Sequence, residues 1–192
     1  MTAEQFRSFW SDNYPDSYPI GHELKWIYKD RWFRIHSLPE SKRYAESEDE
    51  YKIILERQNK LITDIFGEEL DFLILIGLYT NDITNENYTY LDYLNKFIKV
   101  ETIDLHKIRP DEYKNKLLYD IYVKKAKWEE DLFNDSLKRI ADDEIRVIFI
   151  NPGAGCLIIP YDGGVDIILQ DSETRDNFKT KFCDWVPRDN IG

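Results

Sequence analysis

The run Arg31-Trp-Phe-Arg-Ile-His-Ser-Leu-Pro-Glu-Ser-Lys-Arg-Tyr44 gathers Arg31, Arg34, His36, Lys42 and Arg43 into fourteen residues of an otherwise acidic chain. On a strand, residues two apart point to one face, so Arg34 and His36 would look the same way. The Ser-Leu-Pro-Glu-Ser stretch that follows is able to fold Lys42 and Arg43 back toward them. Such a cluster suits a carboxylate or a phosphate, because a guanidinium offers two parallel N–H donors to a planar or tetrahedral anion. His36 adds a general acid or base if a carboxylate orients it. The competing reading is structural: these cations pair with the acidic stretch Glu46-Ser-Glu-Asp-Glu50 and with Asp162 or Asp166.

Other chemistries find less to work with. His22, His36 and His106 are scattered, with no HxxxH or HExxH spacing, so no metal site is expected. The turn Asp162-Gly-Gly-Val-Asp166 reads as a hairpin followed by an exposed strand position. No GxSxG elbow occurs. Cys156 sits mid-strand as a small core residue, and Cys183, after Phe182 on the last helix, is also expected to pack. Asn151-Pro-Gly-Ala-Gly155 lacks the GxGxxG spacing and leads into a strand, so it reads as a hairpin connection rather than a phosphate loop. No catalytic residue and no cofactor is expected.

Two segments, Arg34-Ile-His-Ser-Leu-Pro-Glu-Ser-Lys-Arg-Tyr44 and Pro160-Tyr-Asp-Gly-Gly-Val-Asp-Ile168, resemble the signature segments of a family of small uncharacterised bacterial proteins. Their separation, and Trp185 after an amphipathic helix, fit the same resemblance. It covers most of the chain and implies a fold of unknown function with no catalytic residues to carry over. It also implies that the two segments meet at one site lined by Arg34, His36, Arg43, Tyr161, Asp162 and Asp166. Lys42 joins these as a candidate binding residue through the basic cluster.

The elements that must position these groups follow from periodicity. A short helix is expected over 2–13, with Thr2 and Gln5 as a capping box. Residues 24–36 have a β-rich composition, and Arg31–Ser37 reads as a strand. The clearest element is a helix over Glu48–Phe66: Ser47 and Glu50 form a capping box, and Tyr51, Ile54, Leu55, Leu61, Ile62 and Ile65 make one apolar stripe. Gly67 ends it. Asp71–Thr80 is a continuous apolar run suited to a buried strand, followed by a polar loop over 81–87. Strands are expected over Phe97–Leu105 and 117–124, and a helix over Lys127–Ala141. Three short strands then form a meander, Arg146–Ile150, Cys156–Pro160 and Val165–Leu169, before a last helix capped by Asp171 or Ser172. This order predicts an α+β fold, a single domain over 1–192. Its sheet is mostly antiparallel, with a C-terminal three-stranded meander and about four packing helices.

Composition narrows the function classes. The longest apolar run, Phe72–Tyr79, falls far short of the roughly 18 residues of a spanning helix, and mean hydropathy is −0.57. The N-terminus shows no export signal, so a cytoplasmic protein with reduced thiols is expected. Asp and Glu number 37 against 26 Lys and Arg, a formal charge of −11. That field repels nucleic acids and acidic membranes and steers basic partners inward. Thirteen tyrosines exceed what a core of this size readily satisfies, and Tyr is enriched at interfaces. The first expectation is therefore a non-enzymatic, acidic protein-binding module, an immunity- or antitoxin-like inhibitor of a basic partner. The stretches 46–50, 68–71, 129–131 and 142–144 are its candidate contact surfaces. The alternative is a small-anion-binding protein or enzyme using Arg34, His36 and Arg43 with Asp162 and Asp166. A concave pocket beside the cluster would separate the two.

Overall fold

The computed structural model describes residues 1–67, 70–80, 94 and 96–187. The loop expected over 81–87 and part of the acidic stretch 68–71 lie outside the described residues. One seven-stranded sheet runs through the molecule, built from β1 (Trp32–His36), β2 (Asp71–Tyr79), β3 (Ile98–Asp104), β4 (Leu118–Lys127), β5 (Val147–Asn151), β6 (Cys156–Tyr161) and β7 (Gly164–Ile168). Their spatial order is β1-β7-β6-β5-β2-β4-β3, with every neighbouring pair antiparallel. The fold is thus α+β, and β5–β7 form the expected meander. The described helices are α1 (Ala3–Asn13), α2 (Gly21–Ile27), α3 (Glu48–Phe66), α4 (Leu105–Ile108), α5 (Asn134–Ala141) and α6 (Ser172–Lys181). These are six rather than about four, and α4 is a single turn.

The run in β2 is apolar at nearly every position because both faces of the sheet are covered. Phe72, Ile74 and Ile76 join Phe33, Ile35, Phe149, Ile158 and Ile167 on the face packed by α3, α5 and the end of α6. Leu73 and Leu75 join Ile148, Ile150, Leu157, Ile159 and Ile168 on the face packed by α1 and α2. Alternation within each strand therefore sorts two separate cores.

Three local readings change. Leu24, Trp26 and Tyr28 alternate like a strand, yet Gly21–Ile27 is a helix. Gly21 lets it lie close, since a Cβ there would stand 3.0 Å from Ile159 Cγ2. The helix expected over Lys127–Ala141 begins only at Asn134. Pairing carries β4 on to Lys127 opposite Asp71, and Trp128 then seals the core from a loop, its indole N–H donating to Thr63 Oγ1 at 3.0 Å. Asn59 pins that loop, accepting from the Asp131 backbone N–H and donating to Asn134. Finally, Ser47 caps α3 by accepting from the Glu50 N–H, but the Glu50 carboxylate turns to Lys42 and to the backbone N–H of Glu46 instead of closing the box. The box at the start of α1 closes both ways.

Candidate functional site

Strand register brings the two signature segments together. β1 and β7 pair with Arg34 opposite Asp166 and His36 opposite Gly164. Gly164 permits this approach, because a Cβ there would lie 2.2 Å from the Ile35 carbonyl oxygen. Arg34 grips Asp166 with both arms of its fork, Nε to Oδ1 at 2.7 Å and Nη2 to Oδ2 at 2.9 Å. The Trp32 indole N–H donates to the same carboxylate at 2.9 Å. The Tyr161 ring lies 5.0 Å from the guanidinium. Asp166 is only 4% exposed, so it is a buried anion held by three donors and not the exposed strand position its sequence context implied.

The remaining predicted residues separate from this group. Arg43 Nε donates to the buried Asp162 at 2.6 Å, with its own side chain in solvent. Lys42 is held by Glu46 and Glu50. His36 Nε2 lies 3.2 Å from Ser41 Oγ, and its backbone N–H donates to the Trp185 carbonyl. Glu40 (φ 55°) and Ser41 (φ 60°) reverse the chain in the left-handed region to place Lys42 and Arg43 this way. Much of the basic cluster is thus paired structurally with the acids foreseen for that role. Of the two cysteines, Cys156 is buried, which pushes its thiol up to about 12. Cys183, expected to pack, is exposed just beyond α6.

A cavity of about 450 Å³ nevertheless opens beside Arg34, on the α1/α2 face of the sheet. Arg34, Tyr161 and Asp166 form one wall, and Leu75, Ile148 and Ile159 are among the apolar groups beneath it. His22 and Lys25 enter from α2, and Arg146 from the start of β5. Spaced three apart, His22 and Lys25 sit on one helical face. Arg146 is only loosely paired, 3.8 Å from Asp143. At the far end Tyr119 lies over Gly77, whose missing side chain makes the room: a Cβ there would meet the Tyr119 hydroxyl.

The electrostatics follow from this crowding. Burial would lower the Arg34 pKa, but the hydrogen bonds and charge of Asp166 outweigh it and raise it. Lys25 is half-buried and its pKa is lowered, first by burial and then by the neighbouring Arg34 charge, against a smaller opposing pull from Asp166. His22 is lowered by burial, with Glu23 opposing and Arg146 reinforcing. Burial pushes Tyr161 up to about 12, which keeps it a neutral donor. Lys25 forms no salt bridge among the described residues. Its ammonium lies 4.9 Å from the centre of the Trp26 ring.

Sequence reading missed His22, Lys25, Arg146 and Tyr119. The first two were hidden by the strand-like alternation of α2, and their i, i+3 spacing was the available signal. No curated protein and no solved structure matches the chain. A family model described as "Domain of unknown function (DUF3885)" matches residues 20–190, a span that includes β1 through β7 and every residue of the cavity wall except Pro19.

Proposed function

Because the chain belongs to this family, whose description names no activity, the cavity is the firmest guide, and we propose that the protein binds a small organic anion there. The ligand carries a carboxylate or phosphate on an apolar body. The observation that carries this reading is Lys25: a half-buried cation beside Arg34 with no salt bridge of its own among the described residues. Two like charges in a partly dehydrated space favour an anion between them, and a charge-assisted hydrogen bond there contributes roughly 1.5–3 kcal/mol. The volume suits a ligand, since pockets for small molecules span roughly 300–1,000 Å³. The apolar floor adds a preference for a hydrocarbon or aromatic body.

Titration calorimetry with benzoate and with inorganic phosphate tests this. Benzoate is expected to bind tighter than phosphate, and Lys25→Met to weaken benzoate by roughly tenfold. Arg43→Ala, outside the cavity, leaves the affinity unchanged. Equal weakening by both substitutions, or none by Lys25→Met, overturns the reading.

A second reading, a cytoplasmic module that binds a basic protein, draws on the −11 charge and on Tyr44, 48% exposed beside the acidic start of α3. It is weakened by the partial neutralisation of that start by Lys42 and Lys138. A tagged pull-down from native lysate, washed at low and then moderate salt, should release a stoichiometric basic partner if it holds.

A further inference from the structure

We propose that Lys25 is a reactive amine and that the ligand of the cavity is a 2-oxo acid, its carboxylate held by the cavity's cations and its carbonyl carbon presented to Lys25 Nζ. This rests on the anion-binding reading and names its substrate class. Three features of the geometry lead to it. Lys25 faces a cavity with no carboxylate bound to its ammonium among the described residues, so its nitrogen is available. Arg34 and Arg146 line the same cavity beside their partners Asp166 and Asp143, and their remaining N–H donors face a carboxylate next to the reacting carbonyl. Tyr161, on the same wall as Arg34, brings a neutral phenol to this space as a proton donor to a carbonyl oxygen.

The groups around the amine favour its neutral form. Burial disfavours the ammonium most, the Arg34 charge repels it next, and Asp166 opposes both to a smaller extent. The same logic activates lysines in other proteins, where desolvation and a neighbouring cation leave a larger share of nucleophilic amine at neutral pH.

The step balances without a co-reactant. The lysine ammonium first gives up a proton. Its lone pair then attacks the carbonyl carbon, and the carbonyl oxygen takes up a proton to give a carbinolamine. The attacking nitrogen passes its second proton to the hydroxyl through a phenol that gives one proton and regains one, so the hydroxyl leaves as water, the C–O bond breaks, and a protonated imine remains. Ammonium and carbonyl thus give iminium and one water, with no net change in charge.

Reductive trapping distinguishes this proposal from the reading beneath it. The full chain is incubated with sodium cyanoborohydride and either glyoxylate or acetaldehyde, two aldehydes that differ by the carboxylate. Each lysine is then scored by peptide mass spectrometry. Glyoxylate is expected to label Lys25 faster than the median lysine, because burial and the Arg34 charge leave a larger share of its amine free. Benzoate should suppress that labelling, and acetaldehyde should show a smaller preference. Lys25→Arg should abolish labelling at position 25 while the denaturation midpoint stays unchanged, which shows that the variant is folded. If benzoate binds but glyoxylate labels Lys25 no faster than surface lysines, the reactive-amine proposal is overturned and anion binding stands. If acetaldehyde labels Lys25 as selectively as glyoxylate and benzoate neither binds nor competes, the 2-oxo acid assignment falls together with the anion reading.

Discussion

The two faces of the sheet are built from the same strands but to different ends. On the face under α3 and α5, aromatic rings close on one another: Trp128 stacks on Phe133 at 5.5 Å between ring centres, and Phe72 meets Phe66, Trp128, Phe133 and Phe149. On the face under α1 and α2, the apolar packing stops short at the β1/β7 edge. There a buried carboxylate, an arginine and a lysine face a cavity. Both faces carry a core, but the α1/α2 face also leaves charge and space beside β1 and β7. Stability and function are therefore separable by face, and substitutions should sort accordingly.

The largest expected effect tests the closed face. Trp128→Ala removes the ring that seals it and should cost about 3–5 kcal/mol, read as a fall in the denaturation midpoint. Benzoate affinity of the folded fraction should stay the same. A loss of affinity to match would mean that the two faces are mechanically one.

Asp166→Ala sits at the border and should split the two properties in opposite directions. It strips Arg34 and Trp32 of their shared acceptor and should destabilise by roughly 2–3 kcal/mol, below the range for fully buried pairs because Arg34 remains about a quarter exposed. It also removes a negative charge from the cavity wall and frees the Arg34 fork, so benzoate should bind several-fold tighter. Lost stability with unchanged affinity would mark the pair as structural only.

The smallest effect is a pH dependence through His22. Its pKa lies below the ordinary 6.5 because burial disfavours the imidazolium; Arg146 and Arg109 add to this, while Glu23 and Glu112 oppose it. A bound anion favours the charged ring and raises that pKa. Benzoate affinity should therefore climb a few-fold as pH falls from about 8 toward about 5, and His22→Gln should flatten the rise. Without ligand the sign reverses for stability. The unfolded chain takes up the proton more readily, so the stability contributed by this group is present above its unfolded pKa and is lost as pH falls through the folded one.

Much of this architecture was legible because long apolar periodicities outweigh local ambiguity. The stripe of α3, the unbroken run of β2 and the meander after Arg146 each exceed what alternative pairings can satisfy. Pairing of the basic cluster with Asp162 or Asp166 was legible from charge, but which cation takes which acid was not, since nothing within one strand specifies its partner strand. The site was half visible. Arg34, Tyr161 and Asp166 stood in the signature segments, while Lys25 and His22 lay in a seven-residue helix too short to establish its period against Leu24, Trp26 and Tyr28. Trp128 misled for a related reason: its spacing to Leu132 mimics a helical turn, although its strand and its loop are set by partners from distant parts of the chain.

The place of β1 beside β7 has a consequence for how the molecule comes into being. Arg34 waits across 132 residues for Asp166, while β5, β6 and β7 connect through short local turns. During vectorial synthesis the N-terminal strand is made early and joins its neighbour late, and closing so long a loop adds to the entropic cost of the step. The cavity wall is thus assembled only after β7 has been made, so a chain stopped before β7 has most of the described sheet-forming segments and no Arg34–Asp166 wall.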